Sequence, residues 1–225
     1  MTPHRVPFMD LTPGEDAGDV REAIDRVVTR GWFVLGPEVE AFESEFAAAC
    51  GVPHAIGVGN GTDALLLLLK GLDIGPGDEV IVPAMTAAYS GLAVTMAGAT
   101  PVFADVDPDT LLLSPEACRA AVTTRTAAIM PVHLYGQAAN MTAIEAIAHQ
   151  HGLAIVEDCA TAVGARYDGV HVGLFIVLDS VDVFLVGFAA VANRVDVGAI
   201  VTSDGAPLCP AIGSAHRASN RLSAD

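Results

Sequence analysis

Four groups of residues in this chain are of types that do chemistry, and three of them fall where an apolar run ends. The stretch GVGNGTD at 57–63 leaves a short apolar run and opens a helical pattern, so the backbone N–H groups of Gly61, Thr62 and Asp63 sit at a helix start. Such a terminus binds phosphate through its unpaired donors and the helix dipole, and the Thr62 hydroxyl can add a bond. An ordinary strand-to-helix turn capped by Thr or Asp uses the same residues. Glu157 and Asp158 close another apolar run. A carboxylate at the carboxyl end of a parallel strand lies where open α/β sheets bind ligands, and it can pair with a protonated ring nitrogen; a helix-capping Asp is the plainer alternative. In PVHLYGQ at 131–137, His133 and Tyr135 either line a pocket or pack structurally. The fourth is a solitary amine: Lys70 is the only lysine in the chain.

These groups need elements to hold them. Apolar runs at 55–58, 80–83, 101–104, 127–132, 154–157, 181–186 and 198–202 predict strands covered on both faces. Helical patterns fall at 18–29, 38–49, 63–71, 87–97, 115–122 and 142–151. Ser114 is placed to cap the helix that Pro115 opens. The alternation predicts an α/β fold: a three-layer, mostly parallel, doubly wound sheet of about seven strands. GPGDE at 75–79 and DVDPDT at 105–110 are turns by composition. Residues 205–225 show no periodicity and read as a flexible tail.

Composition excludes several classes. With 225 residues the chain can bury one sizeable core, and 52% hydrophobic residues with a mean hydropathy of +0.49 exclude global disorder. A formal net charge of -16, with only 11 Lys and Arg, argues against nucleic acid and anionic membranes. The four cysteines, Cys50, Cys118, Cys159 and Cys209, lack paired spacing, so no metal site is expected and buried reduced thiols are. The apolar stretch 174–186 carries Asp179 and Asp182 and is too short to span a bilayer. No signal-peptide core stands at the N-terminus, which makes the cytoplasm the expected compartment.

Seven segments, in order, resemble the DegT-type sugar aminotransferases, pyridoxal-phosphate (PLP) enzymes of the aspartate-aminotransferase fold type. They are GWFVLGPEVEAFESEFAAACGV, GVGNGTDAL, GPGDEVIVPAMT, AGATPVFADVDPDT, PVHLYGQAANM, VEDCATAVGARYDG and GAIVTSD. The resemblance implies a large PLP-transferase domain over 1–204, with a helical arm at 1–50. It implies PLP as cofactor, a nucleotide-linked keto sugar as substrate, and pairing as a homodimer or with a complete paralogue. Gly61 and Thr62 would hold the cofactor phosphate and Asp158 would pair with the pyridine nitrogen. Thr161 stands where the family has Gln or His, and Tyr89 is the nearest substitute for a ring-covering aromatic whose own position is Ala87.

The departures bear on activity. The family's cofactor-linking lysine maps to Ala189, and the phosphate-side serine of the same motif maps to Phe184. The family's C-terminal small domain is expected to be missing, which would leave apolar surface uncovered and favour association or poor solubility. Three readings follow: a family member impaired in catalysis that holds PLP weakly or without a covalent link; a non-catalytic subunit that pairs with a complete paralogue; and a frame-disrupted copy of an active aminotransferase, in which 174–197 is the altered stretch.

Overall fold

The computed structural model describes residues 14, 16–52 and 55–173, and the backbone of 183–188 and 197–202. Helices α1 (Ala17–Arg30) and α2 (Pro37–Cys50) come first, then α3 (Gly61–Gly71), β1 (Glu79–Pro83), α4 (Ala88–Ala97), β2 (Thr100–Ala104), α5 (Pro115–Ala121) and β3 (Thr126–Ile129). A 3-10 turn (Leu134–Gly136), α6 (Met141–His151), β4 (Ala154–Ile155), β5 (Arg166–Tyr167), β6 (Val170–His171), β7 (Val183–Phe188) and β8 (Val197–Thr202) follow.

Strands β2, β1, β3 and β4, in that order, form a parallel sheet. Alternate side chains along each strand enter opposite cores, as the period of two requires. Val80, Val82, Ala128, Met130, Ala154 and Val156 pack with α3 and α4. Ile81, Ile129 and Ile155 pack with Cys118 of α5 and with Ile144, Ile147 and Ala148 of α6. The result is the expected three-layer α/β arrangement.

The sheet is narrower than expected. Four strands join in parallel, whereas β5–β6 and β7–β8 form two separate antiparallel pairs among the described residues. The run 55–58 holds a bridge position only at Val58. The N–H of Gly57 goes instead to Oε1 of Glu43, at 2.7 Å, and flanking glycines weaken a strand. The expected strands at 127–132 and 154–157 are cut short as ladders because Pro131 has no N–H to give. Their pairing resumes beyond it: the N–H of Asp158 donates to the Pro131 carbonyl at 2.9 Å, and Val132 bridges Asp158.

Helix starts follow local chemistry. Ser114 Oγ accepts the Ala117 N–H, as its sequence position predicts, and Pro115 takes the first turn. Asn60 and Asn140 cap α3 and α6 in the same way. Both predicted turns are present: Asp78 Oδ2 accepts the Gly75 N–H, and Asp107 Oδ1 accepts the N–H groups of Asp109 and Thr110. The helical arm is less embedded: α1 has no buried residue and is tied to α2 by Arg26 and Arg30, which both pair with Glu38. The expected tail at 205–225, the lysine position Ala189 and most of 174–197 lie outside the described residues.

Candidate functional site

Chain direction places the groups. Each strand of the parallel sheet runs the same way, and α3 and α4 run back against it. The N-termini of α3 and α4 therefore meet the carboxyl edge of the sheet, together with the segments that leave β3 and β4. That edge collects Gly61 and Thr62, Thr86 to Ser90, His133 and Asp158. It is the ligand-binding edge of open α/β sheets.

At the start of α3, the Asn60 side chain accepts the Asp63 N–H at 2.9 Å and donates to Asp63 Oδ2 at 2.7 Å. Asp63 is thus used by the cap and not, as its position suggested, open to a ligand. The N–H groups of Gly61 and Thr62 have no acceptor among the described residues. These two donors, the dipole and the half-buried Thr62 hydroxyl are groups of a kind that suits an anion.

Asp158 is held from three sides. Its carbonyl accepts the His133 N–H at 3.0 Å, its Oδ1 accepts the Ala160 N–H at 3.2 Å, and its Oδ2 accepts the Ser90 hydroxyl at 2.8 Å. Behind Ser90, the Thr86 hydroxyl lies 3.0 Å away. Sequence reasoning passed over Ser90 and Thr86. Their only signal was position: hydroxyls one strand away, where a helix begins at the same sheet edge.

Below Asp158 lies a buried pair. His133 is fully buried and Glu157 is 4% exposed. The Ala139 N–H donates to His133 Nδ1 at 3.0 Å, so the ring proton is on Nε2, which donates to Glu157 Oε2 at 2.7 Å. The Gly173 N–H donates to the same oxygen at 2.9 Å. Cys159 Sγ approaches this pair, and burial pushes its thiol well up, reinforced by the charges of Glu157 and Asp158. Both ring nitrogens are already engaged, so the group braces the loop under Asp158. His133 therefore packs and does not line a pocket.

The other predicted residues are more peripheral. Thr161 is exposed, and its hydroxyl donates to the His133 carbonyl at 3.2 Å. Tyr89, in the first turn of α4 beside Ser90, is 61% exposed, and Ala87 is the residue preceding that helix. Tyr135 is 76% exposed on the 3-10 turn, with a left-handed φ of 58° that a bulky residue rarely adopts. Phe184 lies in β7, where only the backbone is described. Lys70 stands at the far end of α3, with Nζ donating to the Ala97 carbonyl at the end of α4. That is the amino edge of the sheet. Eight residues of helix put it about 12 Å from Thr62 along the axis.

A parallel sheet between helical layers, with a helix N-terminus and a strand-end carboxylate on its carboxyl edge, is the fold of the fold-type I PLP aminotransferases. Residues 15–207 match the DegT/DnrJ/EryC1/StrS aminotransferase family, and the chain belongs to that family. It is 52% identical over 171 residues to the dTDP-3-amino-3,4,6-trideoxy-alpha-D-glucose transaminase of Streptomyces venezuelae, covering 75% of this chain and 45% of that protein. The X-ray structure of S. venezuelae DesV superposes with a TM-score of 0.79 at 48% identity, over 89% of this chain and 54% of that one. The PLP-form of a putative sugar aminotransferase, Spr1654 of Streptococcus pneumoniae, superposes with a TM-score of 0.77 at 28% identity, over 94% and 56%. The chain spans about half the length of the curated relatives it matches. No helix among the described residues is long and apolar enough to cross a membrane.

Proposed function

We propose that this chain carries the cofactor-holding half of a nucleotide-sugar aminotransferase site and, on its own, is impaired in amino-group transfer. One observation carries the reading: the groups that suit PLP gather at the carboxyl edge of the sheet, while the chain's one lysine is bonded at the opposite edge. The donor set fits the cofactor's two charged ends. The open N–H groups of Gly61 and Thr62 suit the phosphate. The Asp158 carboxylate, with its outer lone pairs unoccupied by Ser90 and Ala160, suits a protonated ring nitrogen. Thr161 tightens the loop that carries Asp158.

When bound, PLP supplies an electron sink for bonds to the amino-bearing carbon. The protein's part is to keep the ring nitrogen protonated, which Asp158 does as a fixed anion. A second task is to move a proton beside the ring, which needs a positioned acid-base group. With Ala189 at the family's lysine position, that amine is missing from this chain. The relatives' action on nucleotide-linked sugars extends to this chain as its substrate class. The expected result in equilibrium dialysis is reversible, saturable PLP binding by the purified chain, lost by more than tenfold in Asp158→Ala. Equal binding by Asp158→Ala contradicts the assignment.

A second reading has its own support. Trp32, Phe33, Val34 and Leu35 between α1 and α2 are all exposed, Val34 by 73%. A contiguous apolar run of this kind marks a protein interface. We propose that this arm seats a second chain, either another copy or a complete paralogue supplying the lysine. Sedimentation of the purified chain checks it, with a dimer expected and a monodisperse monomer contradicting self-association. Transaminase activity that appears only on mixing with a lysine-bearing paralogue distinguishes the mixed pair.

A further inference from the structure

A helical serine ordinarily turns its hydroxyl back on its own helix. Thr95 of α4 does this, donating to the Gly91 carbonyl at 3.0 Å. Ser90, on the same helix and fully buried, does not. Its hydroxyl reaches across to Asp158 Oδ2, 68 positions along the chain, at 2.8 Å. A serine has a single proton, and Asp158 takes it. The 3.0 Å contact between Ser90 Oγ and Thr86 Oγ1 must then have Thr86 as the donor. The direction of every bond is fixed: Thr86 donates to Ser90, and Ser90 donates to Asp158.

We propose that Ser90, with Thr86 behind it, is the positioning residue of the candidate cofactor site, a one-way hydroxyl chain that holds the Asp158 carboxylate as an oriented anion for the ring nitrogen of PLP. This rests on the reading of the site as PLP-binding. Two effects act together. The Ser90 bond fixes the carboxylate plane from the α4 side while the Ala160 N–H fixes it from its own loop, so Asp158 can present only its remaining lone pairs. A hydroxyl donor also stabilises the charged carboxylate, and a donor that is itself receiving a hydrogen bond is the stronger for it. Without Ser90 the carboxylate loosens on that side, and a carboxylate out of line with the ring nitrogen holds the proton there less firmly.

The test uses PLP labelled with 15N in the ring, added to the full chain and to Ser90→Ala, Thr86→Val and Thr86→Ser. Affinity is read by equilibrium dialysis, ring protonation by the 15N chemical shift, and folding by the melting temperature without cofactor. Ser90→Ala is expected to weaken binding about tenfold and to move the 15N signal toward that of unprotonated pyridine. Thr86→Val is expected to do the same in smaller measure, about threefold, and Thr86→Ser to restore the parent values. Should Ser90→Ala not fold, the Thr86 pair carries the test alone. The proposal is overturned if the variants keep the parent's 15N shift, whatever happens to their melting temperatures. Loss of binding in Asp158→Ala but not in Ser90→Ala or Thr86→Val would leave the cofactor reading standing and remove only the role of Ser90. Failure of the parent chain to bind PLP would overturn both.

Discussion

Asp158 is where the residues of this chain converge, and what surrounds it explains why so few of them were legible alone. Its own position, at the end of an apolar run, could be read directly. The partners that make it more than a helix cap come from α4 and from the segment after β3, distant in sequence, and only the fold brings them within 3.0 Å. His133 and Glu157 illustrate the converse. Both types suggest chemistry, yet each satisfies the other in a site without solvent, and a buried polar pair of this kind is costly to break. His133→Ala is expected to cost about 3 kcal/mol in urea unfolding, because it removes one of the hydrogen bonds to a buried carboxyl and leaves a cavity beside it. Burial also decides thiol chemistry. The Cys118 thiol is pushed up to about 11 by desolvation. It should resist alkylation in the native chain near neutral pH and react once the chain is unfolded. Fast native alkylation of Cys118 would contradict this burial.

At the level of elements, the helices were legible from their 3.6-residue patterns and the sheet strands from continuous apolar runs, which suit strands covered on both faces. Period two along 80–83 sends Ile81 to one core and its neighbours to the other. The 3.6-residue patterns matched all six helices to within a few residues. The misses have local causes. The β5–β6 hairpin was hidden in a run already assigned to the site. Yet Asp168-Gly169, both at positive φ, is the two-residue turn that such a hairpin prefers. The strand at 55–58 failed because a side chain, Glu43, took the amide its ladder needed. Asn60, not Thr62 or Asp63, caps α3. Asn60→Ala is therefore expected to cost about 1 kcal/mol in chemical denaturation. It should also weaken PLP binding, since the proposed site takes its phosphate donors from the first turn of α3; unchanged affinity would argue against that placement.

For the molecule as a whole, the family was legible from seven ordered segments, whereas the chemistry was not, because the proposed impairment turns on position 189, which lies outside the described residues. The acidic composition acts on stability through specific pairs. The Thr123 hydroxyl, followed by the Arg125 guanidinium, holds the Glu79 carboxyl below its ordinary value of 4.5. Glu79 opens β1 in the middle of the sheet, so this pairing ties the amino edge together. A lowered carboxyl contributes stability that is complete above the ordinary glutamate range and disappears as pH falls through the lowered value. Thr123→Val is therefore expected to melt below the parent near neutral pH and to converge with it as the pH falls below the ordinary glutamate range and the carboxyl is protonated. A constant gap across that range would exclude the ionic origin.

The central claim, that the cofactor groups are kept while the linking amine is not, is tested most directly by borohydride reduction of the chain saturated with PLP, followed by intact mass spectrometry and peptide mapping. The account predicts a chain that binds PLP by dialysis and emerges from reduction at its unmodified mass. A stoichiometric pyridoxyl adduct at Lys70, the chain's only side-chain amine of this type, would contradict it. It would show that the amine bonded here to Ala97 at the far edge of the sheet reaches the cofactor after all.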